Sequence, residues 1–458
     1  MASSGLSASQ SLNHLNLLKN NTNSLHIMNN FTRRDFVKAA AISTAAISTF
    51  NILGAQTAGG INTSKIKVGL IGCGGRGTGA LNNFKEAAQL LGIEVEIVAV
   101  ADAFEDKVNR AVQQFGLSAE QGHFGFTAYQ IVANSDAEVV IMATPPNFRP
   151  VHFEACVEAG KHCFIEKPVA VDPVGTRKVI EVGELAKSKG LTVVAGTQRR
   201  HQKNYLDMVS KVKADAIGQI VGGVISWDMG VLWKVSRKPG MSNAEFLARN
   251  WLNFTEMSGD HICEQHVHQM DVTNWVMGRP PETFLGYGGC ARREIAGGNQ
   301  FDFFSVDMDY GDGIHIHSQC RQIDGCYNRV GESYRGTTGY TTGTKVSGKD
   351  VSIDPAVVQH SSGMIQEHVD LLSSIRGKGE PLNRSREVAD ATMCAIGARI
   401  SAYTGQMVRW VDLTANTKSP FYNLTLAPAA LDFEVGDVAM PDESPALPGK
   451  EKQWRERG

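Results

Sequence analysis

A glycine-rich turn between two apolar runs constrains the fold of this chain more than any other sequence feature. Gly72, Gly74 and Gly77 follow a β-branched run in the spacing G-x-G-x-x-G. A helical pattern over residues 78–91 comes next, and a second apolar run ends at Asp102. This order of strand, glycine turn, helix, strand and acid is typical of a dinucleotide-binding βαβ unit. The sequence therefore predicts an α/β fold with a Rossmann domain.

Each glycine of the turn has a physical role. Gly72 permits a tight turn, Gly74 lets the backbone approach a pyrophosphate, and Gly77 lets helix and strand pack closely. The helix start presents N–H groups to phosphates, so we include Gly75 and Arg76 in the cofactor site. Asp102 would accept hydrogen bonds from ribose hydroxyls and repel a 2′-phosphate. NAD is therefore favoured over NADP.

Further β/α units extend the predicted sheet and place polar residues at its carboxyl edge, where open parallel sheets bind ligands. Strands are predicted over residues 139–143, 162–165 and 191–195. The first two end in Thr144-Pro145-Pro146-Asn147 and Glu166-Lys167-Pro168. The third leads to Gln198-Arg199-Arg200. We assign residues 65–200 to the Rossmann domain.

The second half of the chain has a different pattern. Period-two alternation predicts antiparallel strands near 219–228, 283–294, 301–311 and 313–322. Helices are predicted near 202–213, 260–277, 363–376 and 385–403. We assign residues 201–420 to a C-terminal α/β domain with a mostly antiparallel sheet. Residues 421–458 are rich in Pro, Ala and charge, which predicts a loosely packed tail.

The N-terminal segment, residues 1–58, is predicted to be a leader. Thr32-Arg33-Arg34-Asp35-Phe36-Val37-Lys38 precedes a short apolar stretch over residues 39–53. Paired arginines before such a stretch are typical of a twin-arginine export signal, which predicts a periplasmic protein. Met28 is a possible alternative start. The competing interpretation is an ordinary basic, apolar N-terminal helix.

Charge and cysteine usage exclude several classes of protein. The net charge of −2 offers no strongly basic surface for nucleic acid. No apolar run reaches the roughly 18 residues of a membrane helix. None of the eight cysteines forms a CxxC pair, so a zinc ribbon is not supported. We expect buried thiols, with Cys320 and Cys326 as the one pair to check for a disulfide.

Several motifs together resemble the Gfo/Idh/MocA oxidoreductase family over about residues 65–415. They are the glycine turn, Asp102, Thr144-Pro145-Pro146-Asn147, His152, Gly160-Lys161-His162, Glu166-Lys167-Pro168, and Ala402-Tyr403-Thr404-Gly405-Gln406 followed by Trp410. The resemblance implies a large open sheet in the second domain that packs against another subunit. A homodimer or homotetramer is therefore expected. The leader, Arg249-Asn250-Trp251 and Glu264-Gln265-His266-Val267-His268 resemble an exported bacterial branch.

The resemblance also implies roles for single residues. Lys167 would contact the nicotinamide ribose and the substrate, and His268 would exchange the proton of a sugar hydroxyl. Glu264 stands where the family often has Asp, and the Glu side chain is one methylene group longer. The implied cofactor-binding set includes Thr144, Pro145, Asn147, His152, Glu166 and Gln198. From their residue types and positions, we also place Arg199, Arg200, Trp251, His261 and Asp271 in the substrate-binding set. Salt bridging within the fold is the alternative for the two arginines, and core packing is the alternative for Trp251.

One helical face would collect four titratable side chains. His261, Glu264, His268 and Asp271 stand at i, i+3, i+7 and i+10, which predicts one face of a single helix. Solvated or capping side chains are the alternative interpretation. His261, Glu264, His266 and His268 are residue types that suit zinc. However, the spacing is not H-E-x-x-H and His266 falls on another face, so we expect no metal.

The export signal and the cofactor together predict the type of reaction. Free NAD is scarce outside the cytoplasm, so the cofactor should stay bound and be restored within the catalytic cycle. We expect an oxidoreductase that acts on a hydroxyl of a sugar or glycoside by hydride transfer. The alternative enzyme is a redox-neutral glycosidase, although the chain lacks the Gly-Gly-His-Gly-Gly segment associated with that type. The non-enzyme alternative is a sugar- or cofactor-binding protein.

Overall fold

A computed structural model describes residues 64–291, 297–377, 379–436 and 438–449. The predicted leader lies outside these residues. Two sheets organise the described chain, one parallel and one mostly antiparallel. The predicted fold class is therefore confirmed.

The N-terminal sheet is wholly parallel and has the order β3-β2-β1-β4-β5-β6. Its strands are β1 (Lys65–Ile71), β2 (Glu94–Asp102), β3 (Gly122–Phe124), β4 (Val139–Met142), β5 (His162–Ile165) and β6 (Val193–Ala195). The helices of this domain are α1 (Gly75–Leu90), α2 (Glu105–Phe115), α3 (Tyr129–Ala133), α4 (Arg149–Glu158) and α5 (Pro173–Ser188). The strand order reverses between β1 and β4, and such a switch point is where open α/β sheets bind ligands.

The second sheet has the order β13-β12-β11-β7-β10-β9-β8-β14, and only the β7–β10 pair is parallel. Its strands are β7 (Ile220–Met229), β8 (Thr283–Gly289), β9 (Phe303–Asp309), β10 (His315–Gln322), β11 (Arg329–Gly336), β12 (Tyr340–Thr342), β13 (Lys345–Ser347) and β14 (Val408–Arg409). The sequence analysis missed β11 to β13, where four glycines between residues 331 and 343 weaken the strand pattern.

Two helices, Val267–Met277 and Ser385–Thr404, cover one face of this sheet. Nine helices in all belong to this half of the described chain. They are α6 (Lys203–Lys213), α7 (Asn243–Arg249), α8 (Thr255–Ser258), α9 (His261–Glu264), α10 (Val267–Met277), α11 (Gly363–Arg376), α12 (Ser385–Thr404), α13 (Trp410–Thr414) and α14 (Ala430–Val435). The covered face buries alternate apolar side chains such as Phe284, Val306 and Ile316. The opposite face leaves Leu285 and Tyr287 exposed.

The α11–α12 segment returns to the first domain. Val369 and Leu372 of α11 join the core on one side of the parallel sheet, and Val388 of α12 joins the core on the other. The backbone N–H of Val193 in β6 donates to Leu382 O at 2.8 Å. Residues late in the sequence therefore complete the nucleotide-binding domain.

Residues 421–449 pack closely on the rest of the chain, which corrects the expectation of a loose tail. Phe433 of α14 is 1% exposed and contacts Phe126 and Phe148, with ring centroids 5.2 and 5.0 Å apart. Leu426 N donates to the Asp172 carboxylate at 3.0 Å. Apolar residues spaced through a Pro-rich segment anchor it, with Phe433 in the six-residue helix α14 and Leu426 outside any helix or strand. Anchors so short and so widely spaced give no lasting helix or strand period in the sequence.

No disulfide joins any two of the eight cysteines, all of which lie among the described residues. Cys320 is buried in β10 whereas Cys326 is exposed, so the one pair singled out for a bridge is not joined. Across the described residues, no helix is long and apolar enough to cross a membrane.

The anchoring of the tail is testable by a large-to-small substitution. Phe433→Ala should lower the free energy of unfolding by about 3–5 kcal/mol, because it opens a cavity beside the Phe126 and Phe148 rings. Val435 in the same helix is 82% exposed, so Val435→Ala should change that free energy by less than about 0.5 kcal/mol. Urea denaturation measures both variants. Equal effects would contradict the packed tail.

Candidate active site

The turn between β1 and α1 depends on glycine at two positions. Gly72 has φ +99°, and its N–H donates to Ala101 O at 2.7 Å. A Cβ on Gly72 would lie 2.8 Å from the backbone carbon of Ala143. A Cβ on Gly77 would collide with the carbonyl oxygen of Gly72. The first and third glycines therefore let β1, β4 and α1 approach one another.

The middle of the turn faces open space that fits a pyrophosphate. A Cβ on Gly75 would meet no atom within 4 Å, and one on Gly74 would meet only Lys107 Nζ at 3.6 Å. No side chain caps the N-terminus of α1 at Gly74. The first-turn N–H groups and the positive end of the helix dipole are thus available to an anion.

Asp102 lies at the end of β2 beside this turn. Its carboxylate accepts hydrogen bonds from Cys73 N at 2.8 Å and Phe104 N at 3.1 Å. Burial raises the pKa of Asp102, and Lys107 opposes that shift. Each carboxylate oxygen retains a lone pair for a ribose hydroxyl. These residues fit NAD as the sequence analysis expected, with Asp102 at the adenosine end.

A cavity of about 1020 Å³ opens from the turn between the two domains. Several predicted cofactor residues line it: Gly72, Gly74, Gly75, Arg76, Asp102, Thr144, Pro145 and His152. Trp251, expected to bind substrate, also lines this cavity and meets Trp233 edge-on at 5.8 Å. Its place near Asp102 puts Trp251 at the cofactor end.

His152 forms a neutral wall of the cavity. Its Nδ1 lies 3.2 Å from Thr144 Oγ1, and its ring stacks on Tyr129 with centroids 4.2 Å apart. Burial lowers the pKa of His152 to about 3. The ring is therefore uncharged at neutral pH and shapes the wall without adding charge.

Asn147 joins three parts of the chain instead of lining the cavity. Its Nδ2 donates to Glu256 O at 2.8 Å and to Pro428 O at 2.9 Å. These partners belong to α8 and the tail. Asn147 therefore has a structural role through its amide protons, and its predicted cofactor role stays a prediction.

Buried Glu166 pairs with the exposed Arg76 beside the glycine turn. Arg76 Nε donates to Glu166 Oε1, and Arg76 Nη2 lies 3.3 Å from Glu367 Oε1 of α11. A Cβ on Gly196 would collide with the Glu166 carboxylate. Burial and the neighbouring Glu166 raise the pKa of Glu367. Sequence analysis missed Glu367 and Gly196 because both lie far along the chain.

Lys167 reaches across to the second domain. Its Nζ lies 2.5 Å from Glu264 O and 3.3 Å from Glu264 Oε1. The side chains of Lys167 and Glu264 are 11% and 10% exposed. Burial raises the pKa of Glu264, and the adjacent Lys167 opposes that shift. The structure therefore brings together the predicted catalytic Lys167 and Glu264.

His268 lies near the same pair. Its ring stacks on Trp227 of β7 with centroids 5.6 Å apart. Burial lowers the pKa of His268 well below its usual range, and the positive charges of Lys167 and Arg199 add to the shift. Among the residues that the structure describes, none hydrogen-bonds to the His268 ring. A neutral imidazole is thus held ready to accept a proton.

The predicted single helical face is wrong because the helix breaks at Gln265 and His266. His261 and Glu264 belong to α9, whereas His268 belongs to α10. His261 is 1% exposed and contacts Phe304 with ring centroids 5.1 Å apart. It therefore lies in the core and not in a substrate cleft.

Arg200 and Asp271 also form core structure. Arg200 Nε donates to the two Asp271 carboxylate oxygens at 2.8 and 2.9 Å. Both residues are buried, and the guanidinium lies over Trp275. Because each charge neutralises the other, neither is available to substrate. Their predicted substrate-binding role is therefore replaced by an ion pair within the fold.

Arg199 belongs to a cluster near His268. Gln269 Oε1 accepts from Arg199 Nη1 and Nη2 at 2.5 and 2.7 Å once its amide is oriented toward the guanidinium. Glu332 Oε2 lies 3.8 Å from Arg199 Nη1, and the guanidinium lies 5.8 Å from the Trp227 ring. Sequence analysis missed Gln269 and Glu332, which are brought here by α10 and β11.

Two further expectations concern Gln198 and metal. Gln198 opens the half-buried turn Gln198–His201, whose backbone packs against Gly363 of α11.

His266, weighed as a metal ligand, is buried with Nε2 2.8 Å from Ser318 Oγ. Within residues 64–291, 297–377, 379–436 and 438–449, no group of three or more His, Cys, Asp or Glu could hold a metal ion.

Comparison with known proteins identifies the first domain. Residues 66–197 match the GFO_IDH_MocA family, described as "Oxidoreductase family, NAD-binding Rossmann fold". This segment is therefore similar to the NAD-binding domain of the Gfo/Idh/MocA oxidoreductases, and the predicted NAD-binding Rossmann domain is confirmed.

Curated relatives are similar to a little under half of this chain. A "Glycosyl hydrolase family 109 protein" from a Shewanella species is 25% identical over 233 residues, covering 45% of this chain and 48% of the relative. "Inositol 2-dehydrogenase" from Salmonella paratyphi B is 27% identical over 222 residues, covering 48% and 57%. The chain thus spans about half the length of these curated relatives.

A solved structure shares the overall fold. The WlbA dehydrogenase from Bordetella pertussis, in complex with NADH and UDP-GlcNAcA, superposes with a TM-score of 0.59 at 16% identity. The superposition covers 75% of this chain and 98% of that one. Likeness at this identity shows the fold alone.

Proposed function

We propose that this protein is an oxidoreductase that removes hydride from a hydroxyl-bearing carbon of a sugar or glycoside and keeps its NAD bound. The observation that carries the proposal is the Lys167–Glu264 contact with a neutral His268 nearby, adjoining an NAD-binding domain. Curated relatives include an inositol dehydrogenase, whose name gives a polyol substrate.

In the proposed reaction, Lys167, His268 and Glu264 have different roles in proton transfer. Bound NAD supplies the acceptor for the hydride that leaves the carbinol carbon. Lys167 Nζ, now held by Glu264, would donate a hydrogen bond to the substrate hydroxyl oxygen and stabilise its developing negative charge. His268 would accept the hydroxyl proton, because its lowered pKa keeps the ring neutral near pH 7. Glu264 positions the Lys167 amine.

A redox-neutral glycosidase is the second candidate, and the glycosyl hydrolase relative favours it. In that reaction, oxidation of one carbon acidifies the neighbouring C–H, the aglycone is eliminated, water adds, and the carbonyl is reduced again. The same Lys167 and His268 would serve its first step. Release of the aglycone without net reduction of NAD distinguishes the two reactions.

The assignment of Lys167 is testable by replacing its amine. Lys167→Met should lower the rate at which bound NAD is reduced by a methyl glycoside panel roughly 10²- to 10⁴-fold, because the donor to the reacting oxygen is lost. NADH affinity, measured by fluorescence titration, should survive. Lys161→Met is the matched control, since Lys161 donates to Ser135 O on another edge of the sheet. Unchanged turnover in Lys167→Met would remove Lys167 from the mechanism.

We propose that the leader directs export by the twin-arginine route. The paired Arg33 and Arg34 before residues 39–53 support this, and export of a folded protein would let the cofactor be loaded first. Replacing both arginines by Lys should leave full-length protein in the cytoplasmic fraction while the wild type is found in the periplasm. Cell fractionation and immunoblotting measure this. Equal distribution would argue for an ordinary basic helix.

We propose that the uncovered face of the second sheet joins two copies of the chain in a dimer or tetramer. Leu285 and Tyr287 of β8 and Val224 of β7 are 37%, 64% and 38% exposed on strands of that sheet. Asp307 and His317 stand between Leu285 and Val224 on the same face, so the face mixes apolar and polar side chains. Exposed apolar side chains on such a face favour burial against a second copy. Sedimentation equilibrium should give an oligomer that Tyr287→Lys weakens. A wild-type monomer at micromolar concentration would contradict the proposal.

A further inference from the structure

The adenosine end of the cavity is closed by a segment of the second domain. We call residues 233–251, between β7 and α8, the roof. Roof side chains line the same cavity as Asp102 and the glycine turn: Trp233, Val235, Lys238, Met241, Glu245, Arg249 and Trp251. A dinucleotide with its ribose at Asp102 would therefore lie between the Rossmann domain and the roof.

Arg249 connects the roof to the Rossmann domain. Its Nη2 donates to Asp106 Oδ1 of α2 at 2.8 Å, and its guanidinium lies 3.9 Å from the centroid of the Phe104 ring. Glu245, one turn earlier in α7, accepts from Arg249 Nε at 2.9 Å and so orients the side chain. The hydrogen bond from Arg249 lowers the pKa of Asp106, so the pair stays ionised at neutral pH.

An aromatic wall continues from this contact to the tail. Phe104 meets Phe126 edge-on at 6.3 Å, and Phe126 meets Phe433 of α14 at 5.2 Å. Phe104 and Phe126 both line the cavity. The Arg249 contact therefore fixes the ring that begins this wall, two residues beyond Asp102.

We propose that Arg249 is a cofactor-retaining residue: by holding the roof against Asp106 and Phe104, it closes the adenosine site and slows release of NAD. The proposal deepens the proposed function, because it rests on NAD binding in this cavity. A dinucleotide leaving past Asp102 must separate the roof from α2. The separation breaks one charge pair and one cation–π contact, and both contacts are made across the two domains.

The release rate of NADH tests this role directly. Full-length protein loaded with NADH is mixed with excess NAD⁺ in a stopped-flow instrument, and NADH fluorescence reports release. Arg249→Met should release NADH about tenfold faster, the change expected when an exposed charge pair and a cation–π contact are lost together. Asp106→Asn, a second variant that keeps the arginine, should also accelerate release. Circular dichroism checks that each variant is folded.

Arg110→Met is the matched control. Arg110 also pairs with Asp106, at 3.1 Å, but lies outside the cavity lining. Its loss should change the release rate by less than about twofold, as expected for a surface ion pair. Release from Arg249→Met at the wild-type rate, or equal acceleration in Arg110→Met, would overturn the proposal.

The assay needs no sugar substrate, so it separates two possible failures. If no glycoside reduces the bound NAD but Arg249→Met still accelerates release, the proposed reaction fails and the retaining role stands. If a glycoside is oxidised but the variant releases NADH like the wild type, the reaction stands and the retaining role fails.

Discussion

Two neighbouring charges at the end of β5 connect the cofactor site to the catalytic residues. Glu166 accepts from Arg76 beside the glycine turn, and Lys167 contacts Glu264 in the second domain. The side chains of Glu166 and Lys167 leave the end of β5 in different directions. This strand end therefore contacts the glycine turn through Glu166 and the second domain through Lys167. The position of this strand in turn depends on the turn between β1 and α1, where Gly72 and Gly77 allow backbones to approach too closely for a Cβ.

Burial makes these charges effective and also costly. Glu166, Glu367 and Glu264 are each less than 10% exposed, whereas Arg76, the partner of Glu166 and Glu367, is 38% exposed. The Lys167–Glu264 pair, with both side chains near 10% exposed, is the one that lies in surroundings of low polarity. Removing one partner of such a pair typically costs about 3–5 kcal/mol, because it leaves a buried charge alone. The same low polarity keeps His268 neutral, as a proton acceptor requires. The candidate site therefore combines charged groups with a neutral imidazole, and the proposed mechanism gives them the roles of orienting the substrate and accepting its proton.

Local signals in the sequence were sufficient to predict the Rossmann domain with Asp102 at the end of β2. The family resemblance pointed to Lys167, Glu264 and His268, which the structure places close together. The glycine spacing and the Glu-Lys-Pro segment each carry their meaning within a few residues. Partners that meet only in three dimensions could not be predicted this way. Arg200 and Asp271 were expected to bind substrate, yet they are 71 residues apart and neutralise each other. The break at Gln265 likewise separates His261 from His268, which a regular helix would have aligned.

The most direct test is whether the purified mature protein carries NAD that a glycoside can reduce. Native mass spectrometry gives the mass of the bound cofactor, and an absorbance scan before and after adding glycosides detects reduced nicotinamide. The account predicts one NAD per chain that survives purification and becomes reduced without added cofactor. A protein that is empty after purification, binds added NAD only weakly and reduces none of it would contradict the account.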